Sequence, residues 1–243
     1  MSDDEKTTST TDTKADRTPE EIAASVAKLE AEAAKIRAET RKANAEAEVQ
    51  EYEASAASIA HAMVVEKRDE ELASDKYLHI YRFSGQVDSS SAKTCSQQLL
   101  RWSRLNPGCD MEVVFFSPGG SVIDGMMLYD TIIGLREAGH NITTTAMGYA
   151  ASMGGILLQA GTTRRMGKEA YILIHEIAFG AIGKIGEVED EVLFAKKITK
   201  RILNILAERS HMSAATIDKR WKRKDWWLDS DEALKHGFVD VVI

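Results

Sequence analysis

Ser152 sits in a run of small residues, Gly148-Tyr149-Ala150-Ala151-Ser152-Met153-Gly154-Gly155. The stretch before it, Asn141 to Met147, is β-branched and alternating and reads as a strand; Ile156 to Ala160 after it reads as the start of a buried helix. A serine where a strand turns into a helix can act as a nucleophile. Small neighbours admit a substrate backbone, and the free N–H groups of the first helical turn can receive an oxyanion. Taken alone, the same serine fits a plain helix cap better, since Ser is common at helix starts. The G-x-S-x-G elbow is incomplete, because Ala150 stands where its first Gly would be.

Acyl transfer also needs a base, an orienter for the base and an oxyanion site. His175 ends a short buried strand, Ala170 to Ile174, and precedes a Gly-bearing stretch with Gly180, Gly183 and Gly186. That placement suits a general base, and it also suits a histidine satisfied by backbone at a strand end. Spacing leaves the orienting carboxylate open among Asp218, Asp225 and Asp229. A second glycine turn, Ser117-Pro118-Gly119-Gly120-Ser121, also follows a strand and can aim N–H groups at one point. Other chemistries fail on spacing. His175-Glu176 has Phe179 where a zinc helix needs its second His, and Gly180 to Lys184 lacks the phosphate-loop pattern. No metal site and no cofactor is expected.

The elements that must position these residues alternate. Strands are expected at Tyr77–Phe83, Met111–Phe116 (fully buried) and Asn141–Met147. Helices are expected at Ala92–Leu105 and Val122–Ala138. Gly161 to Arg165 reads as a polar turn. Helices at Gly186–Arg209 and Ala214–Arg223 follow, then a short helix from Ala233, a stop at Gly237 and a last strand. This order implies βαβ units and a mostly parallel α/β core. Ahead of it, residues 1–18 form a polar tail expected to be disordered. Residues 19–74 form an Ala/Glu-rich helical arm with no Gly, opened by Thr18-Pro19-Glu20-Glu21. Ile22, Val26, Leu29, Ala33 and Ile36 are spaced 4-3-4-3 within it, a short heptad stripe. The arm reads either as a coiled-coil or docking element or as a solvated helix. Residues 75–243 form the chemical domain.

Charge separates the two parts. Of the 38 acidic and 31 basic side chains, residues 1–72 hold 18 and 10. The acidity therefore belongs to the arm and argues against a nucleic-acid partner there. Cys95 and Cys109 are the only cysteines, which points to a reducing, cytoplasmic setting without a disulfide framework. No apolar run reaches membrane-spanning length.

Taken together, the motifs resemble the ClpP family of serine peptidases. They are Ser117-Pro118-Gly119-Gly120-Ser121, Met147 to Gly154 around Ser152, Ile174-His175, Arg223-Lys224-Asp225-Trp226-Trp227 leading into Ser230-Asp231-Glu232-Ala233, and Gly237-Phe238-Val239-Asp240. The resemblance runs from about Tyr77 to Ile243. It implies a ClpP/crotonase-like fold with a long handle helix, Gly186–Arg209, by which subunits pair into a ring or stacked rings. It implies Ser152 as nucleophile, His175 as base and Asp225 as orienting acid. Gly120 and Met153 would supply oxyanion N–H groups. Gly119, Gly180 and Gly183 would line an extended peptide substrate held by β-addition. Two departures stand out. Glu176-Ile177 replaces the family's Gln-Pro after the base, so Glu176 could raise the pKa of His175 if it points inward. The acidic arm also replaces the short axial loop that engages an ATP-driven unfoldase, which leaves that partner open. Similar subunits occur in phage head-assembly genes, so maturation of a capsid or scaffold is the first reading. A degradative proteolytic subunit, an idle assembly subunit, a Ser-Lys dyad protease and a crotonase-like enzyme are its alternatives.

Overall fold

A computed structural model describes residues 18–243, so the polar tail through residue 17 lies outside the described residues. Two compact units divide between Arg68 and Asp69. The first unit consists, in the described residues, of most of a 54-residue helix, α1 (Pro19–Leu72). Thr18 and Glu21 cap its start reciprocally: the Glu21 N–H donates to Thr18 Oγ1, and the Thr18 N–H to Glu21 Oε2. None of its residues is buried.

The second unit begins with β1 (Ile80–Ser84), α2 (Ser89–Leu105), β2 (Met111–Ser117), α3 (Val122–Glu137) and β3 (Ile142–Ala151). It continues with α4 (Met153–Leu158), β4 (Thr163–Met166), β5 (Tyr171–Ile174), α5 (Ile185–Glu208), α6 (Ala214–Trp221), β6 (Trp226–Leu228), α7 (Ser230–His236) and β7 (Val241–Val242). The strands form one seven-stranded sheet in the order β1-β2-β3-β4-β7, with β5 branching from β3 and β6 pairing β5. Every pairing is parallel except β5 with β6.

Local chemistry sets the element ends. Asp88 caps α2 in a reciprocal box with Ser91, Asp229 caps α7 by accepting the Glu232 N–H, and Gly237 closes α7 at φ +77°. The core joins the inward faces of β1, β2 and β3 to α2, α3 and α4, with Phe83, Leu99, Val113, Phe115, Leu128, Ile132 and Leu157 buried.

Several boundaries differ from the sequence reading. Tyr77 to His79 form a turn, and β1 starts at Ile80. Strand β2 is buried on one face only: Met111, Val113 and Phe115 point inward, while Phe116 on the other face is exposed. Strand β3 runs past Met147 to Ala151 and delivers Ser152 directly. Trp226–Leu228 is a strand that the sequence reading passed over. Ala178 to Lys184 carries no strand.

The expected polar turn at Gly161–Arg165 is confined to Gly161 and Thr162; Thr163 begins strand β4, in which Arg164 is buried. The Arg164 guanidinium is bonded to both carboxylate oxygens of Asp240, to Gln159 Oε1 and to the Gly237 and Arg209 carbonyls. Burial alone would raise the Asp240 pKa, but the side-chain and backbone donors of Arg164 together hold it below the ordinary 3.8. A depressed folded-state pKa stabilises the fold above the unfolded value, and that contribution is lost as pH falls through the folded value. The Asp240 side chain is 38% exposed, so solvent screening trims this contribution, and Asp240→Asn is expected to cost about 0.5–1 kcal/mol at neutral pH. The gap to wild type should close in acid below the usual carboxylate range; unfolding curves across pH measure it.

Candidate active site

Strand adjacency gathers the predicted residues. Strands β3 and β5 run parallel with Ala151 beside Leu173, and the Ser152 N–H donates to the Leu173 carbonyl at 2.9 Å. This seats Ser152 next to the end of β5, from which His175 projects. Strands β5 and β6 are antiparallel with Ile174 opposite Trp226, so the next residue on one strand, His175, faces the preceding residue on the other, Asp225. Trp226 is packed edge-on against Phe238 and His236 and under the Arg220 guanidinium, which fixes the start of β6.

The resulting distances are graded. His175 Nε2 lies 2.7 Å from Ser152 Oγ, a full hydrogen bond. His175 Nδ1 lies 3.7 Å from Asp225 Oδ1, in ion-pair range but beyond a hydrogen bond. Asp225 is also open to water, its side chain 62% exposed against 27% for His175. The other two carboxylates are committed elsewhere. Asp218 accepts from Trp221 Nε1 at 3.1 Å, and Asp229 caps α7.

Ser152 itself has φ +54° and ψ −121°, a conformation that non-glycine residues rarely hold. This is the sharp strand-to-helix turn of a nucleophile elbow, made without the first glycine of the motif. The glycines that permit it lie elsewhere. A Cβ on Gly119 would stand 2.6 Å from the Ala151 carbonyl and 2.7 Å from Ser152 Cβ, so only glycine lets the two turns meet. Gly120, at φ +146°, lies against Val87, whose N–H donates to the Gly119 carbonyl and whose carbonyl accepts the Ser121 N–H. The N–H groups of Gly120 and Met153 have no acceptor among the described residues. They are fixed donors without a partner beside the Ser152 hydroxyl, which is what a developing oxyanion needs.

Beside them opens a cleft of about 150 Å³ lined by Gly120, Ser152 and His175 on one side. Val122, Ile156, Ile174, Ile177, Ile202 and Trp221 supply apolar walls, and Glu176 also lines the cleft. Sequence reasoning missed Ile202 and Trp221, which arrive from α5 and α6. Each reads as ordinary core at helical spacing, and no local signal sets it apart. Gly180 and Gly183 are not among the lining residues and sit on irregular chain leading into α5, with Ile182 between them fully exposed.

Glu176 lines the same cleft as His175 and also holds a neighbouring turn. Its Oε2 accepts the Arg223 N–H at 2.9 Å, and Arg223 has φ +57°. The carboxylate thus tethers the left-handed turn two residues before Asp225. Glutamine can accept the same N–H. Glu176→Gln is accordingly expected to keep kcat within about 3-fold of wild type, while Glu176→Ala frees the turn and lowers it roughly 10-fold, the worth of one such hydrogen bond; steady-state peptide hydrolysis separates the two.

With this geometry in view, the relatives are informative. The sequence profile of the Clp protease family matches residues 67–243. The ATP-dependent Clp protease proteolytic subunit of Bacteroides thetaiotaomicron is 33% identical over 162 residues, covering 65% of this chain and 71% of its own. Proteolytic subunit 3 of Streptomyces coelicolor is 37% identical over 163 residues (65% and 72%), and subunit 1 of Prochlorococcus marinus 34% over 163 residues (65% and 80%). A family of serine peptidases is thereby defined for the second unit. The chain belongs to the Clp protease family, and the arm through Glu66 lies outside the family match.

Proposed function

We propose that this protein is a serine endopeptidase that cleaves peptide bonds through an acyl-enzyme, with Ser152 as nucleophile, His175 as general base and Asp225 as its orienting acid. The observation that carries the reading is the 2.7 Å contact between His175 Nε2 and Ser152 Oγ, set beside two unpartnered backbone donors. His175 takes the Ser152 proton as Oγ attacks the scissile carbonyl. The Gly120 and Met153 N–H groups receive the oxyanion, and His175 then protonates the leaving amine. Water, activated by the same imidazole, releases the acyl group. The cleft walls are mainly apolar and include Glu176 as their acidic residue, so a substrate with Leu or Met next to the scissile bond is preferred over one with Asp.

Asp225 completes this arrangement weakly in the free enzyme. At 3.7 Å and largely in water, it orients His175 through a loose ion pair, and catalytic hydrogen bonds often tighten only with substrate bound. Asp225→Asn is expected to lower kcat about 10- to 100-fold, well short of the roughly 10⁴-fold cost for a buried acid. Equal losses for Asp225→Asn and His175→Ala would contradict this.

The family supports a self-compartmentalised homo-oligomeric ring, with α5 as the pairing handle. Two settings for the peptidase remain distinct. The long polar arm outside the family match favours maturation of a capsid or scaffold protein, with the arm itself as a substrate. The relatives' names, ATP-dependent proteolytic subunits, favour degradation with an unfoldase. Intact-mass analysis of purified wild type beside Ser152→Ala decides between them. Trimming near residue 72 in wild type alone supports maturation. Two uncut proteins, with peptide hydrolysis stimulated by an ATP-driven unfoldase, support degradation.

A further inference from the structure

The first half of α1 carries a repeat stricter than its apolar stripe. Residues 22–49 divide into four seven-residue units, Ile-Ala-Ala-Ser-Val-Ala-Lys, Leu-Glu-Ala-Glu-Ala-Ala-Lys, Ile-Arg-Ala-Glu-Thr-Arg-Lys and Ala-Asn-Ala-Glu-Ala-Glu-Val. One seam position reads Ile22, Leu29, Ile36, Ala43, and the other Val26, Ala33, Thr40, Ala47. Lys35 and Lys42 pair with Glu39 and Glu46, again seven residues apart. A lone helix has no use for this period. At 3.6 residues per turn a seven-residue stripe drifts by about 20° per repeat, and it stays in one line only when the helix supercoils around another. The seam is open to water: Ile22, Leu29 and Ile36 are 51%, 65% and 57% exposed.

We propose that residues 22–49 form a parallel, in-register coiled coil with the same segment of a second copy of this chain. Flanking charge selects both partner and direction. One flank of the seam carries Ser25, Glu32, Glu39 and Glu46, and the other Ala23, Glu30, Arg37 and Asn44. In a parallel pair each first-flank residue faces the second-flank residue five positions later in the other copy. Glu32 then meets Arg37, Glu39 meets Asn44 and Ser25 meets Glu30, so no like charges oppose until Glu46 meets Glu51. An antiparallel pair would set the Glu32, Glu39 and Glu46 rows against each other. The small side chains of Ala33, Thr40 and Ala47 let two backbones approach closely. The arm thus contributes a pairing surface separate from the catalytic domain, and the inference does not depend on the peptidase reading.

Disulfide trapping in the full-length protein tests it. In a Cys109→Ala background, Leu29→Cys places a thiol on the seam and Ala31→Cys places one on the opposite face; both sites are exposed, so neither change disturbs folding. Under mild oxidation Leu29→Cys should form disulfide-linked dimer at least 10-fold faster than Ala31→Cys. Adding Arg37→Glu, which sets Glu32 against a second Glu, should slow trapping several-fold, and adding Glu32→Arg as well should restore it. Equal rates at positions 29 and 31, no dimer at either, or no response to the charge swap would overturn the proposal.

Discussion

Ser152→Ala and His175→Ala should each lower kcat for a Leu-containing fluorogenic peptide by about 10⁴-fold or more, with KM little changed, and the double variant should be no worse than either single one. The two side chains share one 2.7 Å hydrogen bond, and on the proposed mechanism they act as a unit, so removing either removes the same proton transfer. Neither variant should lose stability beyond about 1 kcal/mol. Each gives up one net hydrogen bond, and the Ser152 N–H to Leu173 carbonyl bond that seats the elbow is backbone and survives. Ser152→Ala does keep an unfavourable φ of +54° without a hydroxyl to justify it. A small rise in thermal stability for Ser152→Gly, which adopts that φ freely, would expose the strain stored at the elbow. Losses that instead multiply in the double variant would mean the two residues serve different steps.

Gly120→Ala should lower kcat by about 10²–10³-fold, the cost of misplacing one oxyanion donor. A Cβ at this position would lie 2.2 Å from the Val87 carbonyl oxygen, which is backbone and already accepts the Ser121 N–H. The turn must shift, and on the proposed mechanism the Gly120 N–H is then displaced from the cleft it shares with Met153. The effect belongs in kcat, because a donor aimed at the oxyanion acts in the transition state. Gly134→Ala provides the control. Gly134 lies within α3 with open space around the missing Cβ, so the substitution should leave kcat alone and raise stability by about 0.5–1 kcal/mol. Equal activity losses at both glycines would remove the oxyanion argument.

How far the chain could be read in advance follows from the range of the forces involved. Ser152, His175 and the two glycine turns were legible because each sits where a strand ends, and strand ends carry a short-range signature. Asp225 was not singled out by spacing, since Asp218 and Asp229 lie nearby and only their commitments to Trp221 and to the Glu232 N–H exclude them. Strand β4 was mistaken for a turn because Thr163, Arg164 and Arg165 are polar. The burial of Arg164 depends on Asp240, far along the chain. Strand β6 was hidden for the same reason: three residues carry no period, and their pairing with β5 is a tertiary fact. Glu176 is the instructive case. It neighbours His175 in sequence, and its hydrogen bond to the Arg223 N–H is a tertiary contact that adjacency along the chain does not reveal. Of the arm, the short stripe from Ile22 to Ile36 is legible because a repeat is a pattern that sequence carries directly, but the sequence leaves open whether that stripe pairs or stays solvated.

The central claim is that the Ser152 hydroxyl is an activated nucleophile, and fluorophosphonate labelling followed by intact-mass and peptide mapping measures it most directly. The account predicts one adduct per wild-type chain, located on Ser152, and none on Ser152→Ala or His175→Ala. An unlabelled wild-type protein, or an adduct on any other residue, would contradict it.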